Sequence, residues 1–227
     1  VIPSQPWPVR AYAALIITSG ILVLAGGAMH WRCADPKRFA AYLLLACVAG
    51  ALKVRIPGMT GTYSLTFLFV LIGVIDLTFS ETVVIAVASM LVQCMWRPAT
   101  RPMPVQVMFS TAAASIAASV AYFAARAVGP AIVSVQLIVA AAVYFLVNTC
   151  LVAGILAQVE RRDFRTVWSE WFRLALTYYL SGVVVAAVMI VSNRHFGWMF
   201  SLLALPLMYL EYLCYRLKIA GERGSGR

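Results

Sequence analysis

The stretch LKVRIPGMTGTYSLTFLFVLIGVIDLTFSET, residues 52–82, decides how the chain folds. Two cations, Lys53 and Arg55, precede Pro57, Gly58 and Gly61, and a mostly apolar run then occupies residues 63–79. Proline removes a backbone donor and glycine loosens the chain, so the backbone breaks at 57–61. Two readings are open. In the first, the break is a tight turn between membrane spans, with Lys53 and Arg55 snorkelling to headgroup phosphates. In the second it is broken backbone lining a ligand site, with the hydroxyls of Thr60, Thr62, Tyr63, Ser64 and Thr66 at the start of the next segment. Unpaired backbone survives in a membrane only where protein or a water-filled cavity covers it. Short segments around a Gly/Pro break are a sequence pointer to a ligand site, and a helix start beside two cations suits an anionic group.

The surroundings make the membrane the solvent. Of 227 residues 63% are hydrophobic and 11% charged, and mean hydropathy is +0.90. A soluble domain carries about a quarter charged residues, and one soluble core cannot hide this much apolar surface. The net charge of +10 comes from 18 Lys and Arg against 8 Asp and Glu. The cations lie between apolar runs, which points to anionic lipid and away from nucleic acid. Cys33, Cys47, Cys94, Cys150 and Cys214 show no CxxC spacing and read as free thiols. No cleavable leader is expected, since the first apolar run has no small-residue cleavage site.

Eight apolar segments follow: 11–30, 39–52, 63–79, 81–96, 104–125, 130–158, 174–192 and 197–215. A full span takes about twenty residues, so 39–52, 63–79 and 81–96 are short. Eight passes put both termini on one side. That side receives Arg10, Lys53, Arg55, Arg97, Arg101, Arg161, Arg162, Arg165, Arg173, Arg216, Lys218, Arg223 and Arg227. The other receives only Arg32, Lys37, Arg38, Arg126 and Arg194, so the first is expected to be cytoplasmic. Between the sixth and seventh segments, Phe164, Val167, Trp168, Trp171 and Phe172 form one helical stripe with charges opposite. The pattern predicts an interfacial amphipathic helix lying flat on the inner leaflet. In the fifth segment Ser110, Ala114 and Ala118, and Ala113, Ala117 and Ala121, stand four apart. Such rows suit a central helix packed against others, or a homodimer seam.

Chemistry-bearing residues are few. No HExxH, GxSxG, GxxxxGK[ST] or GxGxxG motif is present, and the two histidines, His30 and His195, fall at membrane boundaries. They read as interfacial anchors or as a shared metal or proton site. Asp76 and Glu81 flank a turn in which Thr78 and Glu81 have capping-box spacing. They read either as a capped turn or as a carboxylate pair for a cation, proton or polar ligand. Arg173 and Glu211 are expected to form a structural ion pair between the seventh and eighth segments. Asn148, Gln93, Gln106 and Gln136 are expected to make interhelical hydrogen bonds worth about 1 kcal/mol each. The ligand-lining candidates are Lys53, Arg55, Thr60, Thr62, Ser64, Asp76, Glu81 and Gln93.

The LKxRxPGxTGTxS run at 52–64, continuing to SET at 80–82 and joined by PVQVMFS at 104–110, also carries a resemblance. Over residues 38–217 the chain resembles the N-terminal multi-span membrane region found ahead of bacterial HD-GYP phosphodiesterase and GGDEF cyclase modules. The resemblance implies a sensor-like region in which YLEYLCYRL, at 209–217, is the exit helix toward a cytoplasmic output domain. Only LKIAGERGSGR follows Arg216, so cyclic-di-nucleotide chemistry is not expected within these residues. A fainter likeness links the glycine-rich loop to the S components of energy-coupling-factor transporters. Those place the loop outside, whereas the charge count places it inside.

The sequence therefore predicts an all-α, polytopic transmembrane bundle at 1–217 with a basic cytoplasmic tail at 218–227, in a bacterial inner membrane. The expected role is a sensor or regulatory module for a small or lipid-soluble ligand, with a transporter subunit as the alternative. No enzyme activity, cofactor or metal is expected. The expected partners are an anionic inner leaflet, a cytoplasmic signalling partner or ATPase module, and a second copy in a homodimer.

Overall fold

The computed structural model describes residues 6–55, 62–98, 101–129 and 133–203, with single positions 206, 209, 210 and 213 beyond. Seven α-helices account for most of it: α1 Trp7–Met29, α2 Pro36–Ala51, α3 Thr66–Asp76, α4 Phe79–Met95, α5 Pro104–Ala127, α6 Val133–Glu160 and α7 Phe164–Phe196. A 3-10 helix, Trp198–Leu203, follows α7. The all-α expectation holds, with one addition. The quoted stretch forms a minimal antiparallel hairpin of β1 Val54–Arg55 and β2 Thr62–Tyr63, pairing Val54 with Tyr63 and Arg55 with Thr62. Residues 56–61 lie outside the described residues. Pairing the strands satisfies their backbone groups where the helices stop, which favours the turn reading for the flanks of the break.

Helix starts follow local chemistry. Asp35 caps α2 by accepting from the Lys37 and Arg38 amides at 3.1 Å each, and Pro36 occupies the first turn, where no intrahelical donor is lost. The predicted capping box opens α4: Thr78 N–H donates to Glu81 Oε2 at 2.9 Å while the Thr78 hydroxyl accepts from the Glu81 amide. Asp163 caps α7, which ends at Gly197 with φ +84°, a left-handed conformation that glycine adopts without strain.

Among the described residues four segments are long and apolar enough to cross a membrane: Trp7–Met29, Pro104–Ala127, Val133–Glu160 and Tyr179–Phe196. The expected short trio is also present, with 16 residues in α2, 11 in α3 and 17 in α4. At 1.5 Å per residue α3 is only about 16 Å long, half the hydrocarbon thickness. It is nevertheless the core. Every residue from Thr66 to Val74 is buried, and α2, α4, α5, α6 and α7 all pack on it. Leu15, Leu22, Leu44, Phe123, Ile138 and Val184 instead point outward, as lipid-facing residues do.

Two expectations are corrected, those on the interfacial helix and on Gln106, while the rows of α5 follow the first of their two readings. The flat interfacial helix is not separate: residues 164–172 are the first turns of the 33-residue α7. Val167 is buried against Ala153 and Ala157 of α6, and Trp168 Nε1 donates to Thr149 Oγ1 at 3.4 Å. Protein thus covers Val167 and part of Trp168, whereas Phe164 stays exposed. The small residues of α5 serve packing inside the chain, with Ala113, Ala114, Ala117, Ala118 and Ala121 all at or below 1% exposure. At Gly20 of α1 a Cβ would fall 2.6 Å from the Ala112 backbone, so glycine lets α1 seat directly on α5. Gln106 caps its own helix, accepting from the Met103 amide at 3.0 Å. Cys33, Cys47, Cys94 and Cys150 are free thiols, as expected, while Cys214 lies outside the described residues.

Candidate functional site

A helix that stops inside the membrane thickness leaves orphan backbone groups at both ends. At the N-terminal end of α3 the answer is a small buried network. Ser64 Oγ donates to Gln93 Oε1 at 2.6 Å and lies 3.1 Å from Thr66 Oγ1. Lys53 Nζ donates to the Gln93 backbone carbonyl, one of the last carbonyls of α4, where a cation also suits the negative end of the helix. Three predicted candidates, Lys53, Ser64 and Gln93, therefore meet. Arg55 and Thr62 belong to the hairpin backbone; their side chains, and all of Thr60, lie outside the described residues.

Asp76 and Glu81 belong to the other end. Arg38 Nη2 donates to the Asp76 backbone carbonyl at 2.9 Å, and Arg126 Nη2 reaches the Val74 and Leu77 carbonyls at 3.4 and 3.5 Å. Two guanidiniums from α2 and α5 thus close the C-terminus of α3. Arg194, exposed in the last turn of α7, adds a third positive charge at this end, acting on the half-buried Asp76 carboxylate without direct contact. Glu81, 2% exposed, is held by its capping box through Oε2. Its Oε1 is buried without a regular hydrogen bond among the described residues. The Cys33 thiol lies near this carboxylate. Hydrogen bonding toward Glu81, then burial, then its negative charge push the thiol pKa up. The loop before α2 is tied down here as well, with Thr78 Oγ1 3.0 Å from the Arg32 carbonyl and Ser80 Oγ donating to the Gly27 carbonyl at 2.7 Å.

Sequence reasoning counted Arg38, Arg126 and Arg194 only as topology signals. A carboxylate closing an apolar run on the side that holds those cations was the signal available for grouping them. It also missed a network beside them. Tyr42, fully buried on α2, accepts from Asn193 Nδ2 at 2.9 Å, and Ser201 Oγ donates to Asn193 Oδ1 at 2.9 Å. Tyr42, distant in sequence from the other two, thereby helps fasten the 3-10 helix to the bundle. Asn148 bridges helices as expected, donating to Tyr179 OH at 3.2 Å. The Arg173 side chain and Glu211 lie outside the described residues, and the pair with them. Among the described residues no three His, Cys, Asp or Glu side chains group as metal ligands.

Apolar helices facing outward around a core helix with polar ends define a polytopic helical membrane protein. The chain belongs to the MASE9 family of membrane-associated sensor domains, whose model matches residues 39–218. No curated protein and no solved structure matches significantly.

Proposed function

We propose that the chain is a sensor module of a bacterial inner membrane that takes up a small or lipid-soluble ligand within the bundle and reports through its last segment, 197–215. Family membership supports the sensor class. The observation that carries the rest is the Tyr42–Asn193–Ser201 network, which joins a core helix to the start of that last segment. A shift in helix packing at α2 would alter the footing of whatever follows Ser201. Both termini are assigned to the cytoplasm by the bias of basic residues, and an HD-GYP or GGDEF module is the output that the sequence resemblance suggests. The polar groups at the ends of α3 are the proposed ligand contacts. The module is read as non-enzymatic.

Fusing a GGDEF cyclase module behind residue 217 provides a readout. Asn193→Ala is expected to change cyclase output by about twofold or more, by shifting a two-state equilibrium, whereas the lipid-facing Val188→Ala leaves it unchanged. Equal outputs from both variants, with both proteins folded in the membrane, would count against signal transfer through this junction. Ligand uptake by proteoliposomes of the purified chain would favour a transporter instead.

A further inference from the structure

The arginine cluster at the C-terminus of α3 holds more positive charge than the protein neutralises. The loop before α2 and the adjoining ends of α2, α3, α4, α5 and α7 bring together Arg32, Lys37, Arg38, Arg126 and Arg194 against Asp35, Asp76 and Glu81, five cations to three carboxylates. Of the carboxylates, Asp35 caps α2 and Glu81 caps α4. Asp76 forms no ion pair within 4.0 Å, since the described ion pairs both belong to Arg162. Two guanidiniums on the end of α3, with the exposed Arg194 adding charge at the same end, therefore meet one carboxylate without an ion pair among the described residues and the helix end, which contributes about half a negative charge.

Their donors are not spent. Each guanidinium carries five N–H groups. Arg38 engages one carbonyl, and its Nε is buried with no partner among the described residues. Arg126 makes only the two long contacts at 3.4 and 3.5 Å and rests over the Tyr122 ring. Arg194 makes no hydrogen bond or ion pair among the described residues. Snorkelling alone would turn such side chains outward, yet Arg38, and the exposed Arg126 through its two long contacts, reach the carbonyls at the end of α3.

We propose that this end of the bundle binds a phosphate group, held between the guanidiniums of Arg38, Arg126 and Arg194. Three planar donors arriving from three helices suit the several oxygens of a phosphate better than the two of a carboxylate. Arg126 and Arg194 stand in the last turns of α5 and α7, the depth at which headgroup phosphates lie. A lipid headgroup and a soluble phosphate ester share this chemistry. The proposal is independent of signal output, because binding is read on the chain alone.

The test uses the purified full chain in a maltoside detergent, which carries no phosphate, with melting temperature as the readout. Phosphatidylglycerol, diacylglycerol and inorganic phosphate are titrated separately. Stabilisation by phosphatidylglycerol but not by diacylglycerol identifies a lipid phosphate; stabilisation by inorganic phosphate identifies a soluble one. In either case Arg194→Gln, which breaks no protein contact, should weaken the apparent affinity about tenfold, one charge-assisted interaction. Arg126→Gln should do likewise, and Lys37→Gln at the same end should not. If neither phosphate source raises the melting temperature, or if Arg194→Gln and Lys37→Gln respond alike, the site does not exist.

Discussion

Phe67 of α3 lies against Gly182 of α7, and a methyl group built on Gly182 would overlap the tip of its ring. The ring has nowhere to go. It is 3% exposed and packs on Tyr179 with centroids 4.5 Å apart. Gly182→Ala should therefore destabilise the detergent-solubilised protein by about 1–3 kcal/mol, the range for overpacking, despite the better helix propensity of alanine. Phe67→Leu in the same chain should recover part of the loss, and strictly additive melting shifts would show that the two positions do not meet. None of this was legible in the sequence. Gly182 is one glycine in an apolar run, and nothing local says which aromatic it must admit. By contrast, the Thr78–Glu81 capping box was legible because cap and partner lie within one turn.

At the scale of elements, α7 shows where pattern reading succeeds and where it stops. The stripe at 164–172 was recognisable from its period, and it is helical. Its continuity with 174–192 was hidden because Arg173 interrupts the apolar run, while backbone hydrogen bonding ignores side-chain polarity. The stripe's partner was hidden too, since periodicity reports an apolar face without saying whether lipid or protein covers it. Val167→Glu should be severe, because it places a carboxylate against Ala153 and Ala157, whereas Phe164→Glu, at an exposed position, should be tolerated. Comparable loss of folded protein from both substitutions would return the stripe to the membrane surface. For α3, the sequence showed a short apolar run, while its central position depends on contacts with five other helices.

Across the whole molecule, the fold sorts charges into two ends. Gly27 of α1 lies by Ser80 of α4, and Tyr12 donates to the Leu151 carbonyl at 3.3 Å. With Arg126 on the end of α3 and Lys53 on the end of α4, the helices alternate in direction as the eight-segment reading required. Single cysteines at 99 and 162, on a cysteine-free background, should label only from the cytoplasm, and those at 35 and 194 only from outside. Labelling of 162 from outside would reverse the orientation. The short trio and the two charged ends were thus readable from one chain. The convergence of Tyr42, Asn193 and Ser201 was not, because it requires α2 and α7 to be neighbours.

The shortness of α3 bears on how the protein is made. Ribosomes release the chain in order, so this 11-residue helix emerges before α5, α6 and α7, three of the five helices that will enclose it. About 16 Å of helix cannot reach from one headgroup layer to the other, and its polar ends have no arginine from α5 or α7 to meet them yet. Until those helices are made, α3 lacks much of the protein surface that covers it in the finished fold. Its enclosure is complete only once α7 has been made and Gly182 receives Phe67.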